Sequence, residues 1–186
     1  MGRNRRKSKG KKINPPLYVF CEGEPEEDYV NMIKTVYRIP SIQIRAKVRG
    51  NKISKEFIKR YKLNIETHPK DLDFLMYDLD VDGFLKKLQD IPQTMLLVSN
   101  PCIELWFLLH EKAQKSNINT TNCCNEIKKR FKGYEKGTLN EEMKKKLKEK
   151  QSKAIRRAKE LTKFGNPSST IYLLIELLES LKESNR

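Results

Sequence analysis

The chain has 186 residues, of which 37% are hydrophobic and 34% charged, and its formal net charge is +15 at pH 7. This length predicts one domain with a sizeable buried core, while the longest apolar runs are far shorter than the ~20 residues that span a bilayer. Composition therefore excludes a membrane-spanning protein, and the basic N-terminus lacks the apolar stretch of a secretory signal, so we expect a cytoplasmic protein with no membrane partner.

The positive charge is concentrated in two segments. Residues 1–12 contain seven basic and no acidic side chains, and residues 128–163 contain fifteen basic and five acidic ones. Basic segments on a nearly neutral body are typical of nucleic-acid binding, because phosphate neutralisation and counterion release supply the affinity. A solvated, lysine-rich helix surface is the alternative that the charge pattern leaves open.

The spacing of the four cysteines does not indicate a metal site. Cys21, Cys102, Cys123 and Cys124 form no C-x-x-C pair and have no histidine at a ligand spacing. We therefore expect reduced thiols and no structural zinc site.

Hydrophobic patterns predict strands that alternate with helices over the first 110 residues. The predicted strands are 17–21, 42–48, 72–77 and 94–98, and the predicted helical segments are 24–37, 52–64, 83–91 and 103–110. This alternation is typical of an α/β fold with a mostly parallel sheet and helices on both faces. Three further helices are predicted at 122–131, 140–164 and 168–183. The expected organisation is a disordered basic arm at 1–14, an α/β core at 15–112 and a helical, basic region at 113–186 packed on the core.

Acidic and polar residues follow three of the predicted strands. Glu22 follows the first strand, Asp78-x-Asp80-x-Asp82 follows the third, and Ser99-Asn100-Pro101 followed by Glu104 ends the fourth. Because ligands gather at the carboxyl ends of parallel strands, we expect these oxygen atoms to bind Mg²⁺. Each motif also has an alternative without function. Glu22 could be a charge that favours a helix N-terminus, the Asp78-x-Asp80-x-Asp82 motif an Asp-rich turn, and Asn100-Pro101 an ordinary turn initiator.

Taken in order, these motifs resemble the Toprim module, the acidic Mg²⁺-dependent phosphoryl-transfer fold of topoisomerases, primases and some nucleases. More narrowly, the chain resembles the RloB-like family, a Toprim-related group of bacterial restriction and phage-defence loci. The matching stretches are CEGEPEEDY (21–29), MYDLDVDGF (76–84), SNPCIELWFLLH (99–110), GYEKG (133–137) and NPSSTIYLLIELL (166–178).

The resemblance implies roles for the strand-end carboxylates. Glu22 would be the catalytic acid or base, or a metal ligand, and Asp78 and Asp80 the principal ligands of Mg²⁺ or Mn²⁺. Glu104 would hold a water or a second ion, or would instead cap its helix or pair with a basic residue. The family usually has Thr-Glu at positions 26–27, so Glu27 matches and the threonine hydroxyl is replaced by Glu26.

Further candidates lie outside the acidic motifs. Tyr134 and Lys136 sit in a glycine-flanked loop that suits base stacking and phosphate binding, or that is only a loop anchored by an aromatic ring. On the predicted helix 140–164, Lys153, Arg156 and Arg157 share one face, which we expect to meet substrate or water. The secondary candidates are Glu27, Asp82, Asn100 and His110, although a buried hydrogen bond is the commoner role for such a histidine.

The function that this implies is a Mg²⁺-dependent Toprim-type nuclease that hydrolyses RNA (for example tRNA) or DNA as an effector of antiphage defence. The alternative is a non-catalytic module that binds nucleic acid or a partner within a defence complex. An effector without a sensor domain also suits control by an ATPase or restriction-type protein encoded nearby.

Overall fold

The computed structural model describes residues 16–39, 43–65, 67–135 and 138–184. Its five strands are β1 (Pro16–Cys21), β2 (Gln43–Val48), β3 (Leu72–Asp78), β4 (Thr94–Asn100) and β5 (Ser168–Ser169). They form one sheet in the order β2-β1-β3-β4-β5. The first four strands are parallel, and β5 pairs antiparallel with β4. The predicted arm lies outside the described residues.

The helices that connect and cover the strands largely follow the predicted order. They are α1 (Glu24–Tyr37), α2 (Lys55–Leu63), α3 (Phe84–Gln89), α4 (Ile103–Glu111), α5 (Thr120–Arg130), α6 (Glu141–Lys159) and α7 (Tyr172–Glu183), with a 3-10 turn at Gly50–Lys52. The α/β fold class is therefore confirmed. Within the described ranges, none of these helices is both long and apolar enough to cross a membrane.

Alternate residues of the central strands point to opposite faces of the sheet. In β1, Leu17, Val19 and Cys21 join the larger core under α1, α4, α5, α6 and α7. Tyr18 and Phe20 point the other way, into a smaller core with residues of α2 and α3. Because both faces are covered, β1 is buried throughout, as its continuous apolar run predicts.

Two boundaries of the C-terminal region were predicted wrongly. The helix expected at 168–183 begins only at Tyr172, because Ser168 and Ser169 form β5 instead. The Thr170 hydroxyl accepts from the Val98 N–H and donates to the Leu96 carbonyl, each at 2.8 Å, which fastens this short strand to β4. In addition, α6 ends at Lys159, five residues before the predicted end.

Helix α4 occupies the centre of the larger core. Every residue from Ile103 to His110 is buried. This is the pattern of a helix packed on all sides, and α4 contacts β4, β5, α5 and α6. Its N-terminus lies directly after β4, so α4 carries Glu104 from the strand end into the protein interior.

Candidate active site

The ends of β1 and β3 hold two of the predicted carboxylates side by side. The Glu22 N–H donates to the Met76 carbonyl at 3.0 Å, which extends the pairing of the two strands by one residue. The Glu22 carboxylate in turn accepts a hydrogen bond from the Asp78 N–H at 2.9 Å. The parallel register therefore fixes Glu22 against the backbone of the aspartate motif.

Glu26 is a member of this cluster that the sequence did not single out. It lies in the first turn of α1, is 3% exposed and accepts a hydrogen bond from the Gly23 N–H at 2.9 Å. Burial, together with the charges of Glu22 and Glu104, raises the pKa of its carboxyl to about 7. The G-x-x-E spacing after β1 was the available signal, but such a spacing is also an ordinary helix cap.

Glu104 reaches the same cluster from α4. Its side chain is fully buried, and one carboxylate oxygen accepts a hydrogen bond from the Tyr134 hydroxyl at 2.9 Å. Tyr134 is itself only 5% exposed. Its predicted role as a stacking platform for bases is therefore wrong, because the ring packs in the core and its hydroxyl is directed at Glu104.

Asp78 lies among these carboxyl groups. Burial raises its pKa well above the usual range, and the charges of Glu26, Glu22, Glu104 and Asp80 raise it further. One oxygen of Asp78 and one of Glu104 are buried without a hydrogen-bond partner among the described residues. A buried, unpartnered carboxylate oxygen within an acidic cluster suits a hard divalent cation, so Asp78 fits such an ion.

The remaining candidates near the strand ends differ in exposure and contacts. Asp80 and Asp82 are exposed in the turn that follows β3, which ends at Gly83 with a positive φ of 77°. Glu27 is half-buried on α1. The Asn100 side-chain amide donates to the Phe164 carbonyl at 3.3 Å, so this residue ties β4 to the segment before β5.

Comparison with known proteins identifies the family of this chain. A family model described as "RloB-like protein" matches residues 17–178. The chain belongs to the RloB-like family. The match spans every strand-end carboxylate described above, and it confirms the resemblance identified from the motifs.

Other comparisons add little to this RloB-like assignment. No curated protein matches the chain. Among solved structures, the C-terminal region of the Burkholderia pseudomallei OLD protein aligns with 90% of this chain and 97% of its own, at 17% identity and a TM-score of 0.37. A TM-score this low does not establish a common fold.

His110 of this RloB-like protein lies in the core, away from the solvent. It is 1% exposed, and its Nδ1 is 2.9 Å from the Trp106 carbonyl, so we assign the proton to Nδ1. Burial lowers the pKa of the imidazole to about 4, and the charges of Arg157 and Lys150 act in the same direction. These contacts indicate a structural role.

The basic candidates on α6 differ from one another. Lys153 and Arg156 are exposed. Arg157 is half-buried, and its guanidinium donates to the Leu109 carbonyl at 2.6 Å, which closes the end of α4. Arg157 therefore does not share the solvent face with Lys153 and Arg156, contrary to the prediction. Lys136 lies outside the described residues.

Proposed function

We propose that this RloB-like protein is a divalent-metal-dependent nuclease of the Toprim type. The observation that carries the proposal is the convergence of carboxyl groups from β1, α1, β3 and α4 at one edge of the sheet. Carboxylates repel one another and resist burial, so an arrangement that brings them together costs stability unless a bound cation offsets the repulsion, and such arrangements are concentrated at functional sites.

Asp78 and Asp80 would hold the cation, for which Mg²⁺ or Mn²⁺ is the class that fits their hard oxygen atoms. When bound, the ion supplies charge stabilisation to the phosphate group. Asp78 is positioned for this by the pairing of β3 with β1 and β4. Asp80 is exposed two residues further on, where a substrate phosphate has access to it.

We assign the proton transfer to Glu22. Its carboxylate is oriented by the Asp78 N–H, so it is fixed relative to Asp78. In the hydrolysis, the oxygen of a water molecule attacks phosphorus, Glu22 takes the proton of that water, and the bond from phosphorus to the leaving oxygen breaks. Glu22 then gives this proton to the leaving oxygen, and its carboxylate is regenerated.

The substrate that suits the remaining surface is a nucleic acid. Four basic side chains of α6 are exposed and form no salt bridge within the part of the chain that the structure describes: Lys145, Lys148, Lys153 and Arg156. Unpaired basic side chains along one helix suit phosphate contacts that do not read sequence. We propose RNA, including tRNA, or DNA as the substrate, and a role as an antiphage effector with an ATPase or restriction-type partner.

The test incubates the full-length protein with total RNA and with plasmid DNA, in Mg²⁺, in Mn²⁺ and in EDTA. Cleavage is expected with a metal and not with EDTA. It should be lost in Asp80→Asn and Glu22→Gln and retained in Asp90→Asn, which neutralises an exposed aspartate at the end of α3. If both site variants cut at the wild-type rate, the proposal is wrong. Binding without cleavage by the wild-type protein in every metal would favour the non-catalytic module.

A further inference from the structure

A second group of potential metal ligands adjoins the acidic cluster, and it contains sulfur. Cys102 is the N-cap of α4, Glu104 lies in the first turn of that helix, and Cys124 comes from α5. One ligand atom from each residue lies within 4.8 Å of the others. Cys102 and Glu104 are fully buried, while Cys124 is half-buried.

The carboxylate of Glu104 is held in a position that suits a ligand. Tyr134 donates to Oε1, while Oε2 is buried and has no hydrogen-bond partner within the described ranges. A buried carboxylate oxygen without a partner is costly, and a cation between this carboxylate and the two sulfur atoms would remove that cost. The hydrogen bond from Tyr134 resembles the outer contacts that orient ligands in protein metal sites.

We propose that Cys102, Glu104 and Cys124 bind a thiophilic divalent cation of the zinc class, separate from the hard cation at Asp78 and Asp80. Cysteine sulfur is a ligand for zinc and not for magnesium, so the two groups of residues select different ions. Two sulfur atoms that each lie about 2.3 Å from a tetrahedral zinc ion are about 3.8 Å apart. The present spread of at most 4.8 Å needs only a small contraction to reach that geometry.

The ion would join the N-terminus of α4 to α5. These two helices also contact each other through their apolar residues, so the ion adds a link at a place where packing already holds them. Because α4 carries Glu104 and the loop with Tyr134 follows α5, the link would stabilise the part of the acidic cluster that α4 supplies. This proposal does not depend on the nuclease activity.

The test uses the reduced, full-length protein after removal of metal with EDTA, with Co²⁺ as a spectroscopic probe and Zn²⁺ as the competitor. One equivalent of Co²⁺ should produce sulfur-to-cobalt charge-transfer absorption, and Zn²⁺ should abolish that absorption and raise the melting temperature. Cys124→Ser is the main variant, because Cys124 is half-buried and its replacement perturbs the core least. It should bind at least about tenfold more weakly, since even outer contacts of metal sites contribute that much.

Two controls make the result specific to this site. Cys21→Ala removes a buried cysteine of β1 outside the cluster and should leave the absorption unchanged. Asp80→Asn should also leave it unchanged, because Asp80 belongs to the hard-cation site. The proposal is overturned if Co²⁺ gives no charge-transfer absorption, if Cys124→Ser binds like the wild type, or if Asp80→Asn abolishes binding. None of these measurements involves nucleic acid, so they are independent of the nuclease test.

Discussion

Glu26 and Glu27 are neighbours in the sequence but occupy different environments. Successive residues of an α-helix point about 100° apart, so only one of the two can face the sheet edge. Glu26 does so and is 3% exposed, whereas Glu27 is half-buried on the side of α1. Of the two neighbours, Glu26 is therefore the one that adds a carboxyl group to the acidic cluster.

Glu26→Gln is expected to stabilise the metal-free protein at pH 8. At this pH the carboxyl group is mostly ionised, because its pKa is about 7, and it is buried beside other carboxylates. Glutamine keeps an acceptor for the Gly23 N–H but removes the charge, which should raise the free energy of unfolding by about 1 to 3 kcal/mol. Urea denaturation in EDTA measures this change in the free energy of unfolding. Glu27→Gln is the matched control and should change the free energy of unfolding little. Equal effects of the two variants would contradict the placement of Glu26 in the acidic cluster.

His110 predicts a specific acid sensitivity. Its folded-state pKa of about 4 lies below its ordinary value of 6.5, so the folded protein disfavours the charged imidazole. The stability that neutral His110 contributes is therefore complete above pH 6.5 and is lost as the pH falls from there through 4. Relative to His110→Gln, the wild type should lose about 2 to 3 kcal/mol between pH 7.5 and pH 4. Urea denaturation at several pH values measures this, and parallel profiles would show that burial does not depress the pKa.

At the level of elements, the loop between α5 and α6 connects the C-terminal helices to the acidic cluster. Tyr134 reaches Glu104 from this loop, and the Leu139 N–H near its end donates to the Asp28 carboxylate of α1 at 3.0 Å. Phe131 and Leu139 are buried on either side. The loop is thus fastened to both α1 and α4, which explains why an aromatic residue between glycines serves here as an anchor.

Tyr134→Phe isolates the contribution of one hydroxyl in this loop. It leaves Glu104 Oε1 without its donor, and the loss of a buried hydrogen bond should lower stability by about 1 to 3 kcal/mol. The KM for nucleic acid should not change, because the ring is buried and does not meet the substrate. Thermal denaturation and steady-state kinetics on one defined hairpin test both expectations, with Tyr172→Phe as the control. A higher KM at unchanged stability would restore the stacking role.

At the scale of the whole molecule, the acidic cluster and a group of exposed basic side chains lie on different elements of the part that the structure describes. The acidic cluster lies at the carboxyl edge of the sheet, and one group of exposed basic residues lies along α6. Residues 1–12 add seven basic side chains outside the described ranges. A nucleic acid held by its phosphates would be bound by the basic segments and cleaved at the acidic one.

Removal of residues 1–12 is expected to weaken nucleic-acid binding equally for all sequences. The slope of log affinity against log salt should flatten by about 0.7 to 0.9 for each phosphate contact that is lost. The double variant Lys153→Ala/Arg156→Ala should flatten the slope by at most about twice that amount. Fluorescence anisotropy at several salt concentrations gives the slopes. An unchanged slope after removal of the arm would mean that these residues do not contact the substrate.

The alternation of strands and helices along the chain, the mostly parallel sheet with helices on both faces, and the position of Glu22, Asp78 and Asp80 after strands could be predicted from the sequence. These features depend on local signals: continuous apolar runs, helical periodicity, and a motif string specific enough to identify the family. The apolar residues of α4 occupy every side of the helix, which is typical of a buried helix.

Other features depend on which distant segments become neighbours, and only the tertiary structure decided them. Strand β5 has two polar residues and no periodicity, so its pairing with β4 had no local signal. Cys102 and Cys124 are far apart in the chain and match no ligand spacing, yet the packing of α4 on α5 places them beside Glu104. Likewise, Tyr134 is buried, and its hydroxyl donates a hydrogen bond to Glu104, which lies 30 residues earlier in the chain. Side-chain chemistry can be read from a sequence, but burial and the identity of a partner follow from packing.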